Sequence, residues 1–138
     1  MADLATMNTQ IIDVMGTVDG ITTYDGDVPE KVPEVEGSIL PYFVLWSGLP
    51  DSPDEVTSDG NQVDDSFVWD FQITVVASNP PACRAAAHSL KMALMNMRVG
   101  TGTVRPNPDS YKRDVPLLDT TVSPARFMLP TFWRLITN

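Results

Sequence analysis

The chain has 138 residues, a formal net charge of −9, one cysteine and one histidine. A chain of this length forms one domain that hides roughly two thirds or more of its unfolded surface. The lone cysteine excludes an intrachain disulfide framework and a Cys-rich zinc site. The longest apolar runs, such as "VLW" and "TVVA", fall far short of the ~18 residues that span a membrane. "MADLATMNTQ" has neither a basic n-region nor a hydrophobic h-region, so no signal peptide is expected and a reducing cytoplasm is the expected place of synthesis.

Leu4, Met7, Ile11, Met15 and Val18 recur at helical spacing and predict a helix over about 3–16, with Asp3 as its N-cap and Gly16 near its end. "GITTYDGD" predicts a short strand over about 20–24, ended by the turn Asp25-Gly26. "DVPEKVPEVEGS" reads as an acidic connector punctuated by proline. "ILPYFVLWS" predicts a strand over about 39–47, with Pro41 at its beginning or on an edge, because proline cannot donate to a ladder. Residues 48–66, "GLPDSPDEVTSDGNQVDDS", carry six acids and no base and read as a loop or the tip of a long hairpin.

Phe67, Trp69, Phe71, Ile73, Val75 and Ala77 alternate with Val68, Asp70, Gln72, Thr74 and Val76. That period of two predicts a strand over about 66–77 with one apolar and one mixed face, ~36 Å long. Asn79 and Pro80 suit the cap and first turn of a helix over about 80–98. Its stripe of Cys83, Ala86, Ala87, Leu90, Leu94 and Met97 is narrow enough to lie close on a sheet, with Arg98 and Gly100 as its end signals. Thr101–Ala125 carries four prolines and reads as an arm lying on a neighbouring subunit, or else as a surface loop. Arg126–Thr137 predicts a closing strand with Phe127, Leu129, Trp133 and Leu135 on one face. The expected architecture is one α+β domain over 1–138. It has a mostly antiparallel or mixed sheet of four to five strands, both helices on one face, and a core including Phe67, Trp69, Phe71, Ile73, Val75, Cys83, Ala87, Leu90 and Leu94.

Catalytic chemistry finds little to build on. Cys83 and His88 are five residues apart, which turns them about 140° around a helix axis, so they cannot share a hydrogen bond within it. Cys83 falls on the apolar stripe, where a free cysteine behaves as a small hydrophobe, and no second histidine exists to complete a metal site or a triad. "VGTGTV" lacks the strand before it and the third glycine that a phosphate cradle needs. Counting back from Gly60, calcium-loop ligand positions would fall on Glu55, Thr57 and Asp59, which is not the calcium pattern. No catalytic residue, cofactor or metal is expected, and the chain is not expected to be an enzyme.

Charge is polarised along the chain. Residues 1–70 hold fifteen acids and one base, whereas residues 71–138 hold three acids and eight bases. An acidic surface on one subunit can meet a basic surface on the next head to tail, and such contacts close into rings when the rotation permits. The interface candidates are Asp51, Asp54, Glu55, Asp59, Asp64 and Asp65 on the acidic side, and Arg105, Lys112, Arg113, Arg126 and Arg134 on the basic side.

The strand "FVWDFQITVVA" running directly into the helix "PPACRAAAHSLKMALMNM", preceded by a helix and the "PYFVLW" strand and followed by a last strand, resembles the tail terminator proteins of long-tailed bacteriophages, especially those infecting actinobacteria. The resemblance is one of order and texture over nearly the whole chain. It implies a homohexameric ring that caps the tail tube, contacts the major tail tube protein on one side and a head-proximal neck protein on the other, and passes genomic DNA through its lumen without specific binding. It places the chain in the virion at the tail–neck junction, assembled in the host cytoplasm with no membrane. Asp70 and Gln72 are then the lumen-facing candidates, since like charge keeps DNA from sticking. Another head–tail joining or stopper protein is the alternative, and an acidic monomeric binding module a third.

Overall fold

The computed structural model describes residues 4–48, 67–99, 102–108, 115–122 and 124–137. In chain order the elements are α1 (Leu4–Met15), β1 (Thr22–Asp25), β2 (Glu34–Val35), β3 (Ser38–Ile39), β4 (Tyr42–Ser47), β5 (Phe67–Ala77), α2 (Pro80–Leu94), β6 (Arg98–Val99), β7 (Gly102–Pro106), β8 (Leu117–Asp119) and β9 (Arg126–Thr137). They form one α+β domain around a mixed seven-stranded sheet ordered β1-β4-β5-β9-β7-β6, with β8 also on β9.

β5 and β9 are the spine. They pair antiparallel over their whole lengths, from Phe67↔Thr137 to Ala77↔Phe127. Alternation along β5 sends Trp69, Phe71, Ile73 and Val75 to one face, where all four are buried. Leu129, Trp133 and Leu135 of β9 join them, as do Phe43 and Leu45 of β4, and α1 and α2 cover that face with Met7, Ile11, Met15, Cys83, Leu90 and Leu94. Each such fully buried large side chain contributes about 1.5–3 kcal/mol.

The strand-to-helix joint is set locally. Asn79 is extended, and its Oδ1 accepts from the Ala82 backbone N–H at 2.9 Å, so α2 starts with a satisfied donor and prolines at its first positions. Cys83 then sits flat on the sheet, its Sγ 3.5 Å from the Val75 carbonyl and 3.8 Å from that of Phe127.

The sheet is wider than the four to five strands expected, and the difference lies between residues 98 and 119. The helix expected to reach 98 ends at Leu94: Met95 turns out of the helical conformation (φ −58°, ψ 124°), and Asn96 follows in a left-handed one (φ 66°) that asparagine tolerates. Asn96 donates its backbone N–H to the Val104 carbonyl, and Val104 returns a bond to Met97. Arg98 therefore lies in β6 instead of ending the helix, and Val99 and Val104 are fully buried. The stretch read as a neighbour-contacting arm or a surface loop, 101–125, instead supplies β7 and β8 to the chain's own sheet. β8 pairs with β9 at Arg126–Met128 and β7 at Trp133–Ile136. Pro130 sits in the interval between them, where its missing N–H breaks neither ladder.

The strand expected over 39–47 is divided at Leu40-Pro41 into β3 and β4. β1 runs parallel to β4, so the chain must cross over between them, and the crossover carries the hairpin β2–β3 on the sheet's outer face. Its two-residue turn, Glu36-Gly37, has both φ angles positive (52° and 81°), the conformation that matches strand twist in tight hairpins. The acidic segment 49–66 lies outside the described residues.

Candidate functional site

Among the described residues, the outer sheet face, opposite the helices, is covered at one end only. Val32 and Ile39 of the crossover pack on Tyr42, Val44 and Val76, with Tyr24, Val28 and Met128 at the margin. At the other end Trp46, Gln72 and Phe132 stand in one cross-strand row, followed by Asp70 and Arg134, then Val68 and Ile136. Trp46 is 45% and Ile136 56% exposed, large apolar side chains with no element of the described residues packed over them.

Asp70, expected to face a lumen, and Arg134, expected at a subunit contact, meet each other. Arg134 Nε donates to Asp70 Oδ1 at 2.8 Å and its Nη2 to Oδ2 at 3.1 Å. Arg105, exposed on β7, is the register neighbour of Arg134 on its other side. The Gln72 side chain donates to Thr74 Oγ1 at 2.9 Å. The structure thus gathers Asp70, Arg134 and Arg105 into one row at the open end.

Arg126 departs from its expected place among exposed interface bases. It is only 8% exposed, in the first position of β9. Its Nη1 donates to the Tyr42 hydroxyl at 2.9 Å, and its guanidinium lies 6.0 Å from the Tyr42 ring centroid. Tyr42 is in turn held edge-on by Tyr24, the ring centroids 5.5 Å apart. Nε of Arg126 is buried with no hydrogen-bond acceptor among the described residues, an arrangement that costs about 1–3 kcal/mol for a single donor. Asp119 is its register partner on β8, yet the carboxylate turns away: Oδ1 accepts from the Thr121 backbone N–H at 2.9 Å and from its hydroxyl at 2.6 Å. The bond from the Thr121 hydroxyl, then that from its backbone, hold the Asp119 carboxyl below the usual carboxylate range, and the Arg126 charge contributes least. Beside the guanidinium opens a cleft of about 480 Å³, walled by Val28, Pro29, Val122 and Met128, with Glu30 and Asp119 also lining it.

Of the other sequence-derived candidates, Asp51, Asp54, Glu55, Asp59, Asp64, Asp65, Lys112 and Arg113 lie outside the described residues. Trp69, Phe71, Ile73, Val75, Cys83, Leu90 and Leu94 are buried, and Ala87 packs against them. Phe67 opens β5, its side chain outside what is described. Cys83 is fully buried and His88 exposed; burial pushes the Cys83 thiol up to about 11, against a smaller opposing effect of Arg84. Among the described residues no three His, Cys, Asp or Glu side chains stand where they could hold a metal ion, and no helix is long and apolar enough to cross a membrane.

Sequence reasoning passed over Tyr42, Glu30, Asp119 and Val122 as members of one site. Asp119-Thr120-Thr121 carried the only local signal, an acid followed two residues later by a hydroxyl, the pattern of a side-chain-closed turn. No known family's sequence profile matches the chain, and no curated protein matches it significantly.

Proposed function

We propose that this chain is a structural virion protein that assembles as a ring, a homohexamer, on the end of a phage tail tube, stopping tube growth and joining it to the head. The observation that carries the reading is the half-open outer sheet face. Trp46 and Ile136 stand exposed on strands whose other face carries the buried Phe43, Leu45, Leu129, Trp133 and Leu135, so the sheet presents an apolar patch flanked by the Asp70–Arg134–Arg105 row. Aromatic anchors with a polar rim are the composition of protein contacts, and a durable one buries upwards of ~1,000 Å² in total. The resemblance in element order to tail terminators supplies the identity of the assembly.

In this reading the mechanism is assembly, not catalysis. The intramolecular Asp70–Arg134 pair leaves less of the chain's charge polarity for neighbour contacts, so the apolar patch supplies affinity and exposed charges such as Arg105 set register. Electron microscopy of virions made without the gene tests the role. Over-long headless tubes are the expected result. Tails of normal length that fail to join heads would assign the chain to a joining or stopper position instead.

A further inference from the structure

We infer that the cleft beside Arg126 is a binding site for a single carboxylate group carried on an apolar body. This goes beyond the assembly reading and stands whether or not that reading holds. Arg126 is more than nine-tenths buried, and among the described residues its Nε–H has no acceptor and no carboxylate lies within ion-pair distance of it. Buried cations persist when a counter-charge compensates them, and Asp119, the carboxylate nearest in register, is already committed to Thr121. Among the described residues nothing supplies the compensating anion, and the cleft beside the guanidinium leaves room for one from outside them.

The donors are arranged for it. A guanidinium presents a planar fork of N–H groups that matches a carboxylate. The Tyr42 oxygen accepts from Nη1, which leaves the phenolic hydrogen available to a second carboxylate oxygen. Val28, Pro29, Val122 and Met128 wall the remainder with apolar surface, and about 480 Å³ is room for a small organic acid or an acidic side chain. Glu30 and Asp119 on the same lining add negative charge that opposes a doubly charged anion, which favours carboxylate over phosphate. The carboxylate can be free or can be borne by a second copy of this chain.

The test uses the full-length ¹⁵N-labelled protein and follows the Arg126 Nε–H resonance, assigned by its loss in Arg126→Lys. Sodium butyrate at constant ionic strength is expected to move it saturably, sodium chloride to leave it in place, and inorganic phosphate to bind at least about tenfold more weakly. Val122→Trp, a change at an exposed wall that leaves the guanidinium intact, is expected to keep the melting temperature and abolish the shift. A resonance that instead moves on hundredfold dilution of the protein, and is restored by butyrate, supports the same site with a second copy as the source. A resonance unmoved by both butyrate and dilution, phosphate binding as tight as butyrate, or undiminished butyrate binding in Val122→Trp each overturns the proposal.

Discussion

Arg134 on β9 lies directly opposite Asp70 on β5, its Nε 2.8 Å from one carboxylate oxygen and its Nη2 3.1 Å from the other. One residue belongs to the acidic first half of the chain and the other to the basic second half. The antiparallel register of the two longest strands therefore cancels part of the charge polarity inside a single subunit. Two-pronged geometry is favourable, but the pair is partly exposed and screened, so a double-mutant cycle of Asp70→Ala and Arg134→Ala should give a coupling of about 0.2–1 kcal/mol by urea unfolding. The coupling should shrink in ~1 M salt. A coupling indistinguishable from zero at low salt would show the pair to be without energetic weight.

The open end of the outer face should be separable from folding. Trp46→Glu and Ile136→Glu replace exposed side chains, so the melting temperature of the monomer should stay within a few degrees of the parent. If the patch is the subunit contact, the double variant should fail to form rings by native mass spectrometry, because two charges would be desolvated without partners. Rings of unchanged size would move the contact elsewhere on the subunit.

Asp119 sets a pH dependence whose direction follows from Thr121. The folded carboxyl titrates below its unfolded value, so its contribution is present above the unfolded value and is lost as pH falls through the folded one. Thr121→Ala should accordingly destabilise at neutral pH and converge on the parent in acid, as read by melting temperature across the acid range. An NMR titration should find the Asp119 carboxyl moved upward in the variant. A penalty of Thr121→Ala that persists undiminished at low pH would separate it from the carboxylate.

Residues 102–106 should behave as core and not as an appendage. Val104 is fully buried and pairs with Leu135. Val104→Asp buries a charge without a partner and should cost more than about 3 kcal/mol, enough to unfold many domains of this size. Arg105→Ala, one residue along and exposed, should change stability by no more than about 0.5 kcal/mol. The pair read by circular dichroism distinguishes a strand from an arm, which would tolerate both.

Much of the fold was legible where the signal is local. The eleven residues of β5 repeat their apolar period often enough to define a strand and its buried face. Asn79-Pro80 starts α2 through a bond that spans three residues, and the wheel separation of Cys83 and His88 follows from helix geometry alone. The alternation in Arg126–Thr137 similarly marks β9 and its inward side chains.

What the tertiary structure alone decided is non-local. β6 and β8 are two and three residues long, too short to carry any period, and exist because β9 and β7 offer them partners. Pro130 is harmless only because β7 and β8 leave an interval at its level. Arg126 looks in the sequence like any surface base; its burial follows from Tyr42, which arrives from 84 residues earlier in the chain to lie beneath it. Composition and period determine which residues want to be inside and along which element. The pairing of distant strands determines what lies over a given side chain, and so whether a charge is solvated or left waiting for a counter-ion.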